Sequence, residues 1–150
     1  MSQNNPIRVF VTHSWEISDD YLRVFEYLES ARTFFYSNLS LPDQARPSGK
    51  EAEREQLRRE MAQAEVVIGL PNLYKNASEL IVFELTFAKA ADKPVVLLRS
   101  FGTAVALPQA LTSLADEIVD WDERALVDAL RRQARHEDSN RWDTIEFKLD

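Results

Sequence analysis

The sequence predicts an α/β protein with a three-layer, flavodoxin-like arrangement: a five-stranded parallel sheet, order 2-1-3-4-5, covered by helices on both faces. Three observations lead there. Short runs of Val, Ile and Leu recur without polar alternation, as strands buried on both faces do. Each run is followed by a segment with helical spacing of apolar residues, so the βα unit repeats along the chain. The 150 residues suit one domain with a sizeable core.

Ile7–Thr12 (IRVFVT) is the first strand, and Asp19–Ser30 the first helix, with Tyr21, Leu22, Phe25 and Leu28 at helical spacing. Thr33–Tyr36 (TFFY) reads as the second strand. Ser37–Lys50, polar and holding Pro42, Pro47 and Gly49, reads as a long loop suited to recognition or assembly contacts. Glu51–Ala64 is a charged amphipathic helix whose apolar stripe is Leu57, Met61 and Ala64. Glu65–Leu70 is the third strand, followed by the loop Pro71–Ala77 and a helix over Ser78–Ala91, with Ser78 as its cap. Pro94–Leu98 is the fourth strand. Leu107–Leu114 is a short helix, Glu117–Trp121 the fifth strand, and Asp122–Arg135 the last helix. Residues 1–135 thus form the domain. Residues 136–150 form a tail whose alternating Ile145, Phe147 and Leu149 suggest an added edge strand or a partner contact.

In a parallel sheet of this order, ligands bind outside the carboxyl ends of the strands, near the switch between the first and third. The loops Thr12–Asp19, Ser37–Lys50 and Pro71–Ser78 reach that edge. One residue near it is chemically out of place. The helix-surface neighbours of Glu84 are Leu80, Ile81, Phe87, Ala88 and Ala91, all apolar, while Glu79, Thr86, Lys89 and Lys93 lie on the far side. An ionised carboxylate on a core-facing stripe costs several kcal/mol unless it is paired, solvated by a cleft or retained for chemistry. The residues alone leave two readings: an acid satisfied by Arg or backbone N–H groups, or a functional acid.

Composition narrows the function. A net charge of −7 argues against a broad nucleic-acid surface, though a local basic pocket for a phosphorylated small molecule is compatible with it. With no cysteine there is no disulfide framework, thiolate nucleophile or Cys-ligated metal site, and no metal site is expected. The polar start and the lack of an apolar run long enough to span a bilayer point to a cytoplasmic protein without a membrane partner. There is no phosphate loop or dinucleotide fingerprint, and only three glycines. The third strand ends at Leu70-Pro71, where a receiver domain would carry its phosphoacceptor Asp. Nothing places an oriented acid behind His13 for a Ser-His-Asp triad.

The motifs VFVTHSWEISDD, YSNLSLPD, PNLYKNASELIVFELTFAKAADKPVVLL and ADEIVDWDERALVDAL, in that order, resemble those of prokaryotic TIR domains of the defence and signalling group. Tyr74, Ser78, Glu84, Lys93 and Pro94 follow the order of the family's tyrosine, serine, glutamate and Lys-Pro. The resemblance runs from about Ile7 to Arg132. Leu80 stands where family members often carry Trp, four residues before the glutamate.

The resemblance implies cleavage of the nicotinamide–ribose bond of NAD⁺ as a substrate, with no cofactor. The product would be linear or cyclic ADP-ribose, as a signal in antiviral defence. Glu84 would be catalytic. Thr12, His13, Ser14, Trp15, Tyr36, Tyr74, Ser78 and Leu80 would shape the substrate site. Arg46, Lys50 and Arg99 are candidate pyrophosphate partners. The implied partners are NAD⁺ or a related nucleotide, further copies of the chain through TIR surfaces, and a separate effector protein. Two other functions stay open: a non-catalytic TIR interaction module, and an N-glycosidase like the nucleoside deoxyribosyltransferases.

Overall fold

The computed structural model describes residues 4–102 and 106–136. The elements in chain order are β1 (Ile7–Val11), α1 (Asp19–Ser30), β2 (Tyr36–Asn38), α2 (Lys50–Ala62) and β3 (Val66–Gly69). A 3₁₀ turn (Pro71–Leu73) leads into α3 (Tyr74–Ala90), followed by β4 (Val95–Leu98), α4 (Gln109–Thr112), β5 (Glu117–Val119) and α5 (Glu123–Arg135). The strands form one sheet of order β2-β1-β3-β4-β5, and every pairing is parallel. The predicted flavodoxin-like arrangement is the observed one.

The apolar strands supply both faces of this sheet. Val9, Val11, Ile68, Val96 and Leu98 turn one way, into a core completed by α1 and α5. Phe10, Val67, Val95 and Leu97 turn the other way, against Leu57 and Met61 of α2 and Ile81, Leu85 and Ala88 of α3. A period of two residues in a strand therefore feeds two cores at once. Helix ends are fixed locally: Ser18 Oγ accepts the Tyr21 N–H (3.1 Å) to open α1, and Asp122 Oδ2 accepts the Ala125 N–H (2.8 Å) to open α5. Such caps contribute about 0.5–2 kcal/mol each. None of the described helices is long and apolar enough to cross a membrane.

Three regions depart from expectation. β2 lies at Tyr36–Asn38, not Thr33–Tyr36, so the loop after it is shorter than predicted by its first two residues. Backbone pairing decides this: Ile7, Arg8 and Val9 are opposite Tyr36, Ser37 and Asn38, and Leu39 N–H donates to the Val9 carbonyl at 2.9 Å. Phe34 is apolar because it packs into the core from a turn, where its N–H donates to the Ala31 carbonyl (3.2 Å). An edge strand needs only one apolar face, so Ser and Asn are tolerated in it.

The second departure is at α3, which begins at Tyr74. Ala77 breaks the helical geometry (φ −142°, ψ 48°), so Ser78 opens the main segment one place inside the cap position. The third is at the other end of the sheet, where α4 is a single turn of four residues and β5 stops at Val119. Trp121 lies past the strand and donates its indole N–H to the Arg99 carbonyl (2.7 Å), closing the β4–β5 edge. The tail 137–150 lies outside the described residues.

Candidate functional site

The carboxyl ends of β1 and β3 meet α3 at Glu84. Its face of α3 largely follows the spacing: Ile81 and Ala88 are buried, Leu80, Phe87 and Ala91 are half-buried, and opposite them Glu79, Thr86 and Lys89 are exposed while Lys93 is half-buried. Glu84 itself is 0 % exposed. Oε1 accepts the backbone N–H of His13 at 2.9 Å, and Oε2 has no hydrogen-bond partner. Among the described residues neither Arg nor Lys forms an ion pair with it.

Burial drives the Glu84 pKa well above the ordinary glutamate value. The His13 N–H opposes this, and the charge of Glu60 adds to it. Burial therefore favours the neutral form of the carboxyl, which has one oxygen without a partner among the described residues. An unsatisfied buried polar group costs about 1–3 kcal/mol, and a native fold retains few of them.

His13 is the hub around this carboxyl. Its ring is buried, with Nε2 2.8 Å from Glu60 Oε1 and Nδ1 accepting the Trp15 N–H at 3.1 Å. Since Nδ1 accepts, the ring proton belongs on Nε2, and the contact to Glu60 is a hydrogen bond to a neutral ring rather than an ion pair. Trp15 follows at φ 60°, with its ring edge-on to His13 at 5.3 Å. Its indole N–H is buried without a partner. Glu60 Oε1 also accepts the Leu41 N–H (2.9 Å), which ties the start of the β2–α2 loop to the same cluster.

Above this cluster is an open cleft of about 520 Å³. Ser14, Ser78, Leu80 and Phe83 line it, together with three cations and three acids: Arg46, Lys50 and Arg54 with Glu16, Glu53 and Glu79. Arg46 pairs with Glu53 at 2.6 Å and holds its guanidinium 5.6 Å from the Trp15 ring. Lys50 pairs with Glu79 at 3.2 Å, with both side chains over 70 % exposed. Such a pair contributes little and is readily exchanged for a ligand. Arg54 makes no ion pair among the described residues and lies 5.2 Å from the Phe83 ring. Leu80, one turn before Glu84, lines the cleft; Glu84 does not.

The structure brings together His13, Trp15 and Glu84 below, and Ser14, Ser78 and Leu80 in the cleft. The other predicted residues sit elsewhere. Thr12 is buried and accepts the Leu70 N–H through Oγ1 at 2.9 Å, joining the ends of β1 and β3. Tyr36 sits at the amino end of β2, between Phe25 and Phe34, and donates its hydroxyl to Glu29 at 2.7 Å. Burial, then Glu29, raises its pKa. Tyr74 lines a shallow groove with Val82 and Thr86 that adjoins the cleft and shares Arg54, Ser78, Glu79 and Phe83 with it. Arg99 pairs with Asp120 at 2.9 Å, outside the cleft that Arg46 and Lys50 line.

Two contributors were missed by the sequence reading, Glu60 and Arg54. Glu60 was detectable by the rule that found Glu84, because it interrupts the stripe Leu57, Met61, Ala64. Arg54 carries no such signal: among eight charged residues of α2, nothing in the sequence sets it apart. No protein-family model matches the chain, and no curated protein matches it.

Proposed function

We propose that this chain is a TIR-like enzyme that cleaves the N-glycosidic bond of NAD⁺, with Glu84 as the catalytic carboxyl. The observation that carries the reading is a fully buried acid with one unpartnered oxygen beside a cleft that holds exchangeable cations. The pyrophosphate would exchange the weak Lys50–Glu79 pair for its own contacts, and Arg54 has no carboxylate partner among the described residues.

The chemistry suits a single carboxyl. Glycoside hydrolysis ordinarily needs a second, acidic group to protonate the leaving oxygen. In NAD⁺ the leaving nitrogen already carries the positive charge. The C1′–N bond breaks, its electron pair goes to the ring, and nicotinamide departs neutral. The ribosyl cation is then captured by water, which gives up a proton, or by a nucleophile within the same nucleotide. A carboxylate near C1′ stabilises the cationic transition state, and the low dielectric around it strengthens the attraction. Burial favours the neutral acid at rest, but a pyridinium brought beside it favours the ionised form. Glu84 is fully buried and Leu80, one turn before it, lines the cleft, so access requires local movement there.

That last requirement favours a second reading, a non-catalytic interaction module in which Glu84 is a structural acid. One experiment separates the two. Purified protein is incubated with NAD⁺, free and on a crowding matrix, and nicotinamide release is followed. The enzyme reading expects release, reduced ~10²-fold by Glu84→Gln, equivalent to about 2.7 kcal/mol of transition-state stabilisation. No release in either state, or equal release by the variant, rejects it.

A further inference from the structure

Glu60 and Glu84 are the two buried carboxylates among the described residues, and His13 lies between them. Glu60 is 5 % exposed and belongs to α2; it does not line the cleft. We propose that Glu60 is a positioning residue for Glu84, acting through the imidazole of His13. The inference deepens the NAD⁺-cleaving reading and rests on it for its kinetic consequence.

The chain of contacts gives each link a task. Glu60 Oε1 accepts the Nε2–H at 2.8 Å, which leaves the Nδ1 lone pair free. Nδ1 then accepts the Trp15 N–H at 3.1 Å and closes a tight turn with Trp15 at φ 60°. A bulky aromatic residue in that region is strained and persists only where the surroundings hold it. The closed turn fixes the His13 backbone, whose N–H is the single hydrogen bond on Glu84. Without an acceptor at Nε2, the other tautomer becomes available. It sets an Nδ1–H against the Trp15 N–H, and the turn opens. At metal sites, groups that orient a histidine through its far nitrogen are worth about 10–100-fold.

Glu60 also acts directly on Glu84 through its charge, which disfavours ionisation of the second acid. Other neighbours contribute no competing charge at that point. β3 (VVIG), β4 (VVLL) and α4 (QALT) pack on α3 and carry no ionisable side chain. Arg54 and Arg58 of α2 lie against the Phe83 ring. The β1–α1 loop contributes His13.

The test uses the full chain, with ¹⁵N shifts of the His13 ring and ¹³C shifts of the Glu84 carboxyl followed against pH, beside nicotinamide release. Wild type should show Nε2 protonated and Nδ1 not. Glu60→Gln keeps an oxygen that can accept both N–H groups, so the tautomer should persist. The lost charge should move the Glu84 titration to lower pH, and the acid limb of kcat/KM with it. Glu60→Leu should produce a mixture of tautomers and lower kcat about tenfold or more with KM little changed. A wild-type ring protonated at Nδ1 would overturn the proposal, as would a Glu84 titration identical in wild type and Glu60→Gln. If Glu60→Leu does not fold, the wild-type and Gln spectra decide. A wild-type chain that releases no nicotinamide sinks the proposed activity but leaves these spectral outcomes to be read.

Discussion

Replacing Glu84 by Gln should change the pH dependence of stability in a way fixed by burial. The amide is close in shape to the neutral acid. Its oxygen can accept the His13 N–H, and its NH₂ takes the place of Oε2, which has no partner in either case. Below the ordinary glutamate value of 4.5, wild-type Glu84 is protonated both folded and unfolded. The two proteins should then be almost equally stable. Above 4.5 the unfolded chain loses the proton while the folded chain keeps it. The folded state binds more protons, so wild-type stability falls as pH rises, until the pH reaches the raised folded-state pKa. The slope is about 1.4 kcal/mol per pH unit. Each pH unit inside that window therefore removes about 1.4 kcal/mol from the roughly 5–15 kcal/mol that holds a domain folded. Gln does not titrate, so its advantage should grow by that amount. Urea unfolding at half-unit steps from pH 4.5 to 7.5 measures it, with Trp15, 8 % exposed, as the fluorescent reporter. Taking the difference between the two proteins cancels the other shifted groups, such as Glu65 and Glu117, whose Arg partners are unchanged. A difference that stays flat, or that turns in favour of Glu as pH rises, would mean that Glu84 is ionised when folded and has a cation or solvent beside it. The burial reasoning would then be refuted.

Two further outcomes are expected. A Cβ on Gly69 would meet Leu97 Cδ1 at 3.0 Å and Leu85 Cδ2 at 3.4 Å, where α3 closes on β3, so Gly69→Ala should cost about 1–3 kcal/mol in chemical denaturation. Unchanged stability would show that those leucines shift freely. If neighbouring copies complete the site, NAD⁺ cleavage should rise faster than linearly with protein concentration, and constant specific activity over a hundredfold dilution would count against a composite site.

Layer order and strand order were readable from the chain because parallel strands buried on both faces must be apolar throughout. The runs at Val66–Gly69 and Val95–Leu98 are of that kind, and Ile7–Val11 departs from it only at Arg8, which is exposed. The anomaly of Glu84 was readable for a related reason, since helical periodicity fixes which residues share a face regardless of what packs on it. The same periodicity marks Glu60, which needed only to be read as an interruption of its stripe.

Edges and contacts were decided by tertiary structure. β2 is placed by its hydrogen bonds to β1, and composition misplaces it because Phe34 is apolar for a core contact made from a turn. Tyr36 looked like a site aromatic, yet the register of β2 puts it at the amino end, opposite Ile7. Ser78 has the chemistry of a cap, but the break falls at Ala77, so it serves as a first-turn residue. Above all, no local pattern joins His13 to Glu84, 71 residues away, or to Glu60, 47 residues away. A sequence registers the burial of an acid because its immediate neighbours are apolar. It does not register the acid's partner, because hydrogen bonds between distant segments leave no periodicity and exist only once the sheet has set the loops side by side.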